Sequence, residues 1–141
     1  MDFTLLLAKL RLIALYYQTA HWQVKGTTFY ADHLLFERLY NTVNEEIDGV
    51  AEKAVGITKK LDVVDLTDSL KLIAKEAPKL PYACKDNTMF VNAALELEQD
   101  LLDYLDKNFE KQSLGVQDLL AHLANTHESN CYLLRQRSAT G

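Results

Sequence analysis

Four residues that could bind a metal ion lie in one helical stretch of the sequence: His33, Glu37, Asp48 and Glu52. At about 100° per residue they fall within an arc of roughly 100° on one helix face. Glu37 and Asp48 are eleven residues apart, or roughly 16 Å along the axis, which is too far for one ion to bridge. The order is palindromic, because His33 pairs with Glu52 and Glu37 pairs with Asp48 about one midpoint.

This palindrome indicates a site that two copies of the chain build together. If two such helices pack antiparallel about a two-fold axis at the midpoint, His33 and Glu37 of one copy meet Asp48 and Glu52 of the other. The dimer then holds two identical clusters of imidazole and carboxylate groups. This ligand set suits ferrous and ferric iron better than copper or calcium.

A third candidate ligand, His21, comes from the preceding helical stretch. A tight turn at Gly26 separates His21 from His33, so a helix–turn–helix step can bring both imidazoles to one end of the helix pair. With Glu37 one turn beyond His33, one chain would supply two nitrogens and a carboxylate, and its partner would supply the other two carboxylates.

The elements that must position these groups are helices, since apolar residues recur with helical spacing and strand signals are nearly absent. Thr27 or Thr28 can cap the second helix, and Gly56 is predicted to end it as its C-cap. Five helical segments are predicted: Phe3–Val24, Phe29–Val55, the short Leu66–Ala77, Asn87–Phe109, and a last helix that follows Ser113–Gly115 and includes Leu134.

The lengths of the connections predict how these helices are joined. The segment from residue 57 to about 85 is too long to link neighbouring antiparallel helices, but it suits a crossover along the length of a bundle. We therefore predict a single all-α domain over residues 1–141. It is a ferritin-like four-helix bundle with a short extra helix in the long crossover between helices 2 and 3.

Composition argues against several other classes of protein. The net charge is −5, and only Arg135–Arg137 is faintly basic, so DNA is not a favoured partner. No apolar run is long enough to cross a bilayer, and the first residues lack the basic start of a secretory signal peptide. These features predict a cytoplasmic protein without a membrane partner.

A longer motif surrounds the candidate ligands and resembles a known family. The runs Ala20–Gly26 and Asp48–Lys53, together with Phe29, His33 and Tyr40, are similar to the signature of the Dps family, the dodecameric miniferritins. The motif covers residues 20–53, and the order of the helices extends the resemblance to the rest of the chain.

The resemblance assigns roles to particular residues. His21, His33, Asp48 and Glu52 match the family's ferroxidase ligands in type and spacing, whereas Glu37 stands where the family usually has aspartate. Such proteins are shells of twelve subunits, built from two-fold dimers. They bind two iron ions per intersubunit site, oxidise Fe(II) with hydrogen peroxide or O₂, and store the ferric mineral, which protects against oxidative damage. The resemblance thus predicts a ferroxidase.

Trp22 lies next to His21 and resembles the family's tryptophan near the iron site, where an oxidisable ring could donate an electron. A role as an amphipathic anchor in the dimer interface is compatible with this one. Many family members bind DNA through lysine-rich tails, and the absence of an extension before the first helix predicts that this chain does not.

Other titratable residues receive more ordinary predictions. His122 and His127 are expected to be ordinary satisfied histidines rather than ligands. Glu45 and Glu46 could face the cavity of the shell and nucleate mineral. The acids of the third long helix are predicted to form a solvated face or to line the cavity or a pore; they are Glu96, Glu98, Asp100, Asp103, Asp106 and Glu110.

Two alternatives to the ferroxidase remain open from the sequence. The first is a DNA-compacting shell whose metal site is secondary, which would require a basic patch. The second is a structural shell whose iron site is weak or lost, with Glu37 as the first sign of the change.

Overall fold

Five α-helices make up the protein, which we describe over residues 1–139 from a computed structural model. They are α1 (Phe3–Gln23), α2 (Phe29–Thr58), α3 (Leu66–Glu76), α4 (Asn87–Asn108) and α5 (Leu114–Ser138). Short 3₁₀ turns at Asp62–Val64 and Ala77–Lys79 flank α3. Residues 1–139 contain no β-strand, and the predicted all-α class is therefore confirmed.

Side-chain caps begin four of the helices. The residue before each of α1, α3, α4 and α5 accepts a hydrogen bond from a backbone N–H of the first turn, which has no partner inside the helix. These caps are Asp2, Asp65, Asp86 and Ser113. The exception is α2, because the Thr28 hydroxyl donates to the Asp32 carboxylate instead, at 2.7 Å.

The end of α2 differs from the prediction that Gly56 caps it. The helix continues through Gly56 to Thr58, and Lys59 adopts the left-handed conformation with φ 58°. Its N–H donates to the Val55 carbonyl at 2.8 Å, and the Thr58 hydroxyl donates to the Ala54 carbonyl at 2.7 Å. The Val55 carbonyl is therefore capped without a glycine, and one glycine inside a 30-residue helix is tolerated.

The four long helices form a bundle with the predicted crossover. Two helix pairs, α1 with α2 and α4 with α5, are each joined by a short turn, and contacts of α1 with α4 and of α2 with α5 close the bundle. Residues 59–86 cross between the pairs, with α3 packed on α1. The main core includes residues of all four long helices. Within residues 1–139, no helix has the length and apolar character needed to span a membrane.

A buried carboxylate fixes the start of α2 against the far end of the chain. Asp32 accepts hydrogen bonds from Arg137 at 2.5 and 2.9 Å, from Thr28, and from Asn87 at 3.0 Å. Burial alone would raise the pKa of Asp32, but the hydrogen bonds from these three side chains lower it. Asn87 also bonds the backbone N–H and C=O of Lys25. The turn between α1 and α2, which separates the two candidate histidines, is therefore anchored to α4 and α5.

Candidate metal centre

His21 and His33 face each other across the α1–α2 turn and form a reciprocal pair. The Nδ1 atom of His21 lies 2.7 Å from the backbone oxygen of His33, and the Nδ1 atom of His33 lies 2.8 Å from the backbone oxygen of His21. The two rings stack with their centroids 3.6 Å apart and their planes 17° from parallel. Each histidine therefore holds the other by one hydrogen bond and by ring contact.

These hydrogen bonds determine which ring nitrogen is available to a metal ion. A carbonyl oxygen can only accept, so each Nδ1 must carry the proton and donate it. In the neutral imidazole the other nitrogen, Nε2, then keeps its lone pair. Metal-binding histidines usually donate their second ring N–H to a carbonyl or carboxylate in this way. The pair His21 and His33 therefore has the tautomer that metal binding needs.

Glu37 completes a three-residue group with the histidines. One ligand atom each from His21, His33 and Glu37 lies within 4.8 Å of the others. The spacing of four residues between His33 and Glu37 places both side chains on one face of α2. His21 is 8% exposed, and the other two side chains are half-buried, so the group is open on one side.

Asp48 and Glu52 do not join this group within one chain. They lie further along α2, on the same face of the helix, and both are exposed. Of the five predicted ligands, one chain thus brings three together, and Asp48 and Glu52 lie apart from them.

Exposed apolar and aromatic residues lie close in the sequence to the candidate ligands. Tyr30 and Leu34 share the helix face of Glu37 and Asp48, and they are 71% and 42% exposed. Trp22, which follows His21 at the end of α1, is 65% exposed. A large side chain that is apolar and exposed beside polar groups is typical of a surface that another protein covers.

Aromatic rings support the histidine pair from within the chain. Phe29 stacks on His33 with centroids 4.9 Å apart, and Tyr40 meets His21 edge-on at 5.4 Å. These contacts restrict the rotation of both imidazoles, so the ligand atoms are held in position before any metal ion binds.

A second histidine–carboxylate group lies in the centre of the bundle. Each of the four long helices contributes one residue: Tyr17, Glu46, Glu98 and His127. The Nδ1 atom of His127 is 2.5 Å from Glu98 Oε2, and its Nε2 atom is 2.8 Å from Glu46 Oε1. The Tyr17 hydroxyl donates to Glu98 Oε1 at 2.6 Å. We call these four residues the central cluster.

The central cluster holds a protonated histidine. Burial alone would lower the pKa of His127, but hydrogen bonds to Glu46 and Glu98 and their charges raise it to about 9. Both ring nitrogens therefore donate to carboxylates, and neither has a lone pair for a metal ion. The second carboxylate oxygen of Glu46 is buried without a hydrogen-bond partner.

This cluster corrects two predictions from the sequence. Glu98 is fully buried rather than part of the solvated face of its helix, and Glu46 bonds to His127 rather than facing a mineral cavity. The periodicity contained the signal, because Glu98 lies four residues after Ala94 and three before Leu101, within the apolar stripe of α4. His127 is satisfied in the core, as predicted.

Solved structures of Dps proteins have the same fold. The Dps from Thermosynechococcus elongatus matches with a TM-score of 0.79 and 24% identity, over 99% of this chain and 91% of that one. Dps92 from Deinococcus radiodurans matches with a TM-score of 0.82 and 20% identity, over 96% of this chain and 82% of that one. The DPS protein from Vibrio cholerae O1 matches with a TM-score of 0.69 and 19% identity, over 98% of this chain and 87% of that one. It is described as a member of a broad superfamily of ferritin-like diiron-carboxylate proteins.

The curated proteins that the chain resembles include two uncharacterised ones. An uncharacterised low temperature-induced protein of Nostoc sp. (strain PCC 7120) and its homologue in Anabaena variabilis are each 29% identical over 118 residues, or 82% of this chain. The chain spans 65% of the length of these curated relatives. No protein-family model matches the sequence. By its structure, the chain has the fold of the Dps proteins, a ferritin-like four-helix bundle with a short helix in its crossover.

Proposed function

We propose that the protein is an iron-oxidising and iron-storing miniferritin of the Dps family. The observation that carries the proposal is the reciprocal histidine pair, since His21 and His33 both keep Nε2 free beside the Glu37 carboxylate. The motif that resembles Dps proteins includes both histidines, and Glu37 stands where that family usually has aspartate. The description of the Vibrio cholerae neighbour as ferritin-like and diiron-carboxylate agrees with iron as the metal.

The site is completed by a second copy of the chain. Two α2 helices pack antiparallel, so that Asp48 and Glu52 of the partner subunit meet the three-residue group. The exposed side chains of Tyr30 and Leu34, on the same face of α2, are covered in that dimer. Six such dimers form a shell of twelve subunits in the cytoplasm, with the ferric mineral inside.

Ferrous iron is the substrate of this site. Neutral imidazoles bind Fe(II), and the carboxylates balance its charge and favour the harder Fe(III) that forms. Two ferrous ions give one electron each to hydrogen peroxide, or the same site uses O₂. The chain's own residues position the ions and need no nucleophile. Trp22, adjacent to His21, carries an oxidisable ring that could donate an electron near the site.

The experiment combines iron oxidation with particle size. The protein is loaded with Fe(II) without oxygen, peroxide is added, and ferric absorbance is followed, while a sizing column gives the mass of the same sample. We expect rapid oxidation of about two iron ions per subunit in a particle of about twelve chains. Slow oxidation at the rate of free Fe(II), in an intact shell, would indicate a structural shell without the chemistry.

A double variant tests the residues assigned to the partner. Asp48→Ala with Glu52→Ala removes two exposed carboxylates of α2, and we expect rapid oxidation to be lost while the helix content stays unchanged. The control is Asp68→Ala with Glu76→Ala, which removes one exposed aspartate and one exposed glutamate from α3. Parental oxidation in the α2 double variant would show that the proposed site is wrong.

A further inference from the structure

Two adjacent tyrosines of α1 are both buried but donate to different acceptors. The Tyr16 hydroxyl donates to the backbone carbonyl of Pro81 at 2.8 Å, whereas the Tyr17 hydroxyl donates to the Glu98 carboxylate at 2.6 Å. A phenol that loses an electron becomes strongly acidic, so its oxidation is favourable where a base can take the proton. A carboxylate can take it and an amide carbonyl cannot. Tyr17 is therefore the more readily oxidised of the two.

The hydrogen bonds of Glu98 favour the same event. Glu98 is fully buried, and its Oε1 atom accepts from Tyr17 at 2.6 Å while its Oε2 atom lies 2.5 Å from His127 Nδ1. A proton that leaves the phenol therefore crosses a hydrogen bond that already exists and stays inside the bundle.

Tyr17 also lies close to the candidate metal centre. It precedes His21 by four residues, which is one helical turn or roughly 6 Å along α1. The ring of Phe36, from the helix of His33, packs 5.7 Å from the ring of Tyr17. Tyr17 and Phe36 are both fully buried, in contrast to the exposed ring of Trp22.

We propose that Tyr17 gives one electron to hydrogen peroxide reduced at the iron site and passes its phenol proton to Glu98. This inference rests on the proposed function. When only one Fe(II) is bound, the ion supplies one electron and Tyr17 supplies the second, the O–O bond breaks, and two hydroxide ions form. The products are Fe(III), a neutral tyrosyl radical and protonated Glu98. A later Fe(II) returns the electron, and Glu98 returns the proton to the phenol oxygen.

The consequence is that peroxide is fully reduced even when the site is half loaded. Without Tyr17, one Fe(II) would reduce peroxide by a single electron and release a hydroxyl radical. The tyrosine therefore protects the surroundings at low iron, which is the condition in which a two-ion site is incompletely filled.

The test uses the assembled protein with less than one Fe(II) per site, to which excess peroxide is added. Ferric absorbance is followed, samples frozen at short times are examined by electron paramagnetic resonance, and a spin trap reports free hydroxyl radical. Ring-deuterated tyrosine changes the hyperfine pattern if the radical is on tyrosine. The variants are Tyr17→Phe, the matched control Tyr16→Phe, and Glu98→Gln, which keeps a hydrogen-bond acceptor but removes the base.

We expect a tyrosyl signal in the parent and in Tyr16→Phe. It should be lost in Tyr17→Phe, with several-fold more trapped hydroxyl radical, and reduced by about ten-fold in Glu98→Gln. A parent that oxidises iron without a tyrosyl signal, or a signal that persists in Tyr17→Phe, would overturn this inference and leave the ferroxidase proposal standing. A parent that does not oxidise iron would overturn both.

Discussion

The end of the α1–α2 hairpin and the centre of the bundle contain the same residue types in opposite arrangements. At the end, His21 and His33 donate Nδ1–H to backbone carbonyls and keep Nε2 free. At the centre, His127 donates both ring N–H groups to carboxylates and keeps no lone pair. All three residues are histidines on helices, so residue type and secondary structure do not distinguish a candidate ligand from a core histidine. The hydrogen-bond partners do.

The difference extends to how complete each group is. The central cluster takes one residue from each long helix of a single chain, and its atoms are almost all paired. The group at the end of the hairpin is open to solvent on one side and has three of its five proposed ligands. Stability and chemistry should therefore respond to different substitutions, and each of the following changes tests that separation.

The largest effect on stability is expected from His127→Ala. It leaves the carboxylates of Glu46 and Glu98 buried without their cation, and loss of one partner of a buried charged group typically lowers the free energy of unfolding by about 3–5 kcal/mol. Urea unfolding measures the change. The control His122→Ala removes an exposed histidine of the same helix and should change stability by less than about 0.5 kcal/mol. A loss below 1 kcal/mol in His127→Ala would mean that the central cluster contributes little net stability.

The pH dependence of stability should come from the same histidine. The pKa of His127 is raised to about 9 in the folded protein, compared with about 6.5 when unfolded. Its contribution is therefore fully present below pH 6.5 and is lost as pH rises through 9, for a total of roughly 3 kcal/mol. Urea unfolding at several pH values should show this decline. In His127→Ala the decline between pH 6.5 and 9 should disappear; an equal decline in both proteins would assign it to other groups.

Most of the fold could be predicted from the sequence, because helical periodicity and connection length depend on local patterns. The end of α2 could not, since Gly56 has the residue type of a C-cap but the helix continues until Lys59 takes the left-handed conformation. The helix ends only where the Lys59 N–H donates to the Val55 carbonyl, three residues beyond Gly56.

The candidate site has a clearer pattern in the sequence than the central cluster has. His33, Glu37, Asp48 and Glu52 are related by spacing within one helix, so their pattern is visible in the sequence. The partners of His127 come from α2 and α4, and a charge run on α4 resembled a solvated face. Because the pairing is between helices distant in the chain, the sequence shows that Glu98 lies on the apolar stripe but not which residue neutralises it.

At the candidate metal centre, His33→Ala should weaken iron binding without unfolding the protein. It removes one proposed ligand and the donor to the His21 carbonyl, so we expect Fe(II) affinity to fall by more than about 10-fold. Anaerobic titration calorimetry measures the affinity, and urea unfolding measures stability. His122→Ala serves again as the control. Unchanged Fe(II) binding in His33→Ala would show that His33, at the end of the α1–α2 pair, is not an iron ligand.

The smallest effect is expected from Glu37→Asp, which restores the residue that the Dps family usually has. The carboxylate keeps its charge but is withdrawn by one methylene from the imidazoles, whose positions the reciprocal hydrogen bonds fix. We therefore expect several-fold weaker Fe(II) binding with unchanged stoichiometry, and stability within about 0.5 kcal/mol of the parent. The control Glu45→Asp makes the same change at an exposed position of α2. Tighter Fe(II) binding in Glu37→Asp would show that the bound ion lies closer to the α2 backbone than the longer glutamate side chain allows. The second copy of the chain, rather than the α1–α2 pair, would then determine the distances between the ion and its ligands.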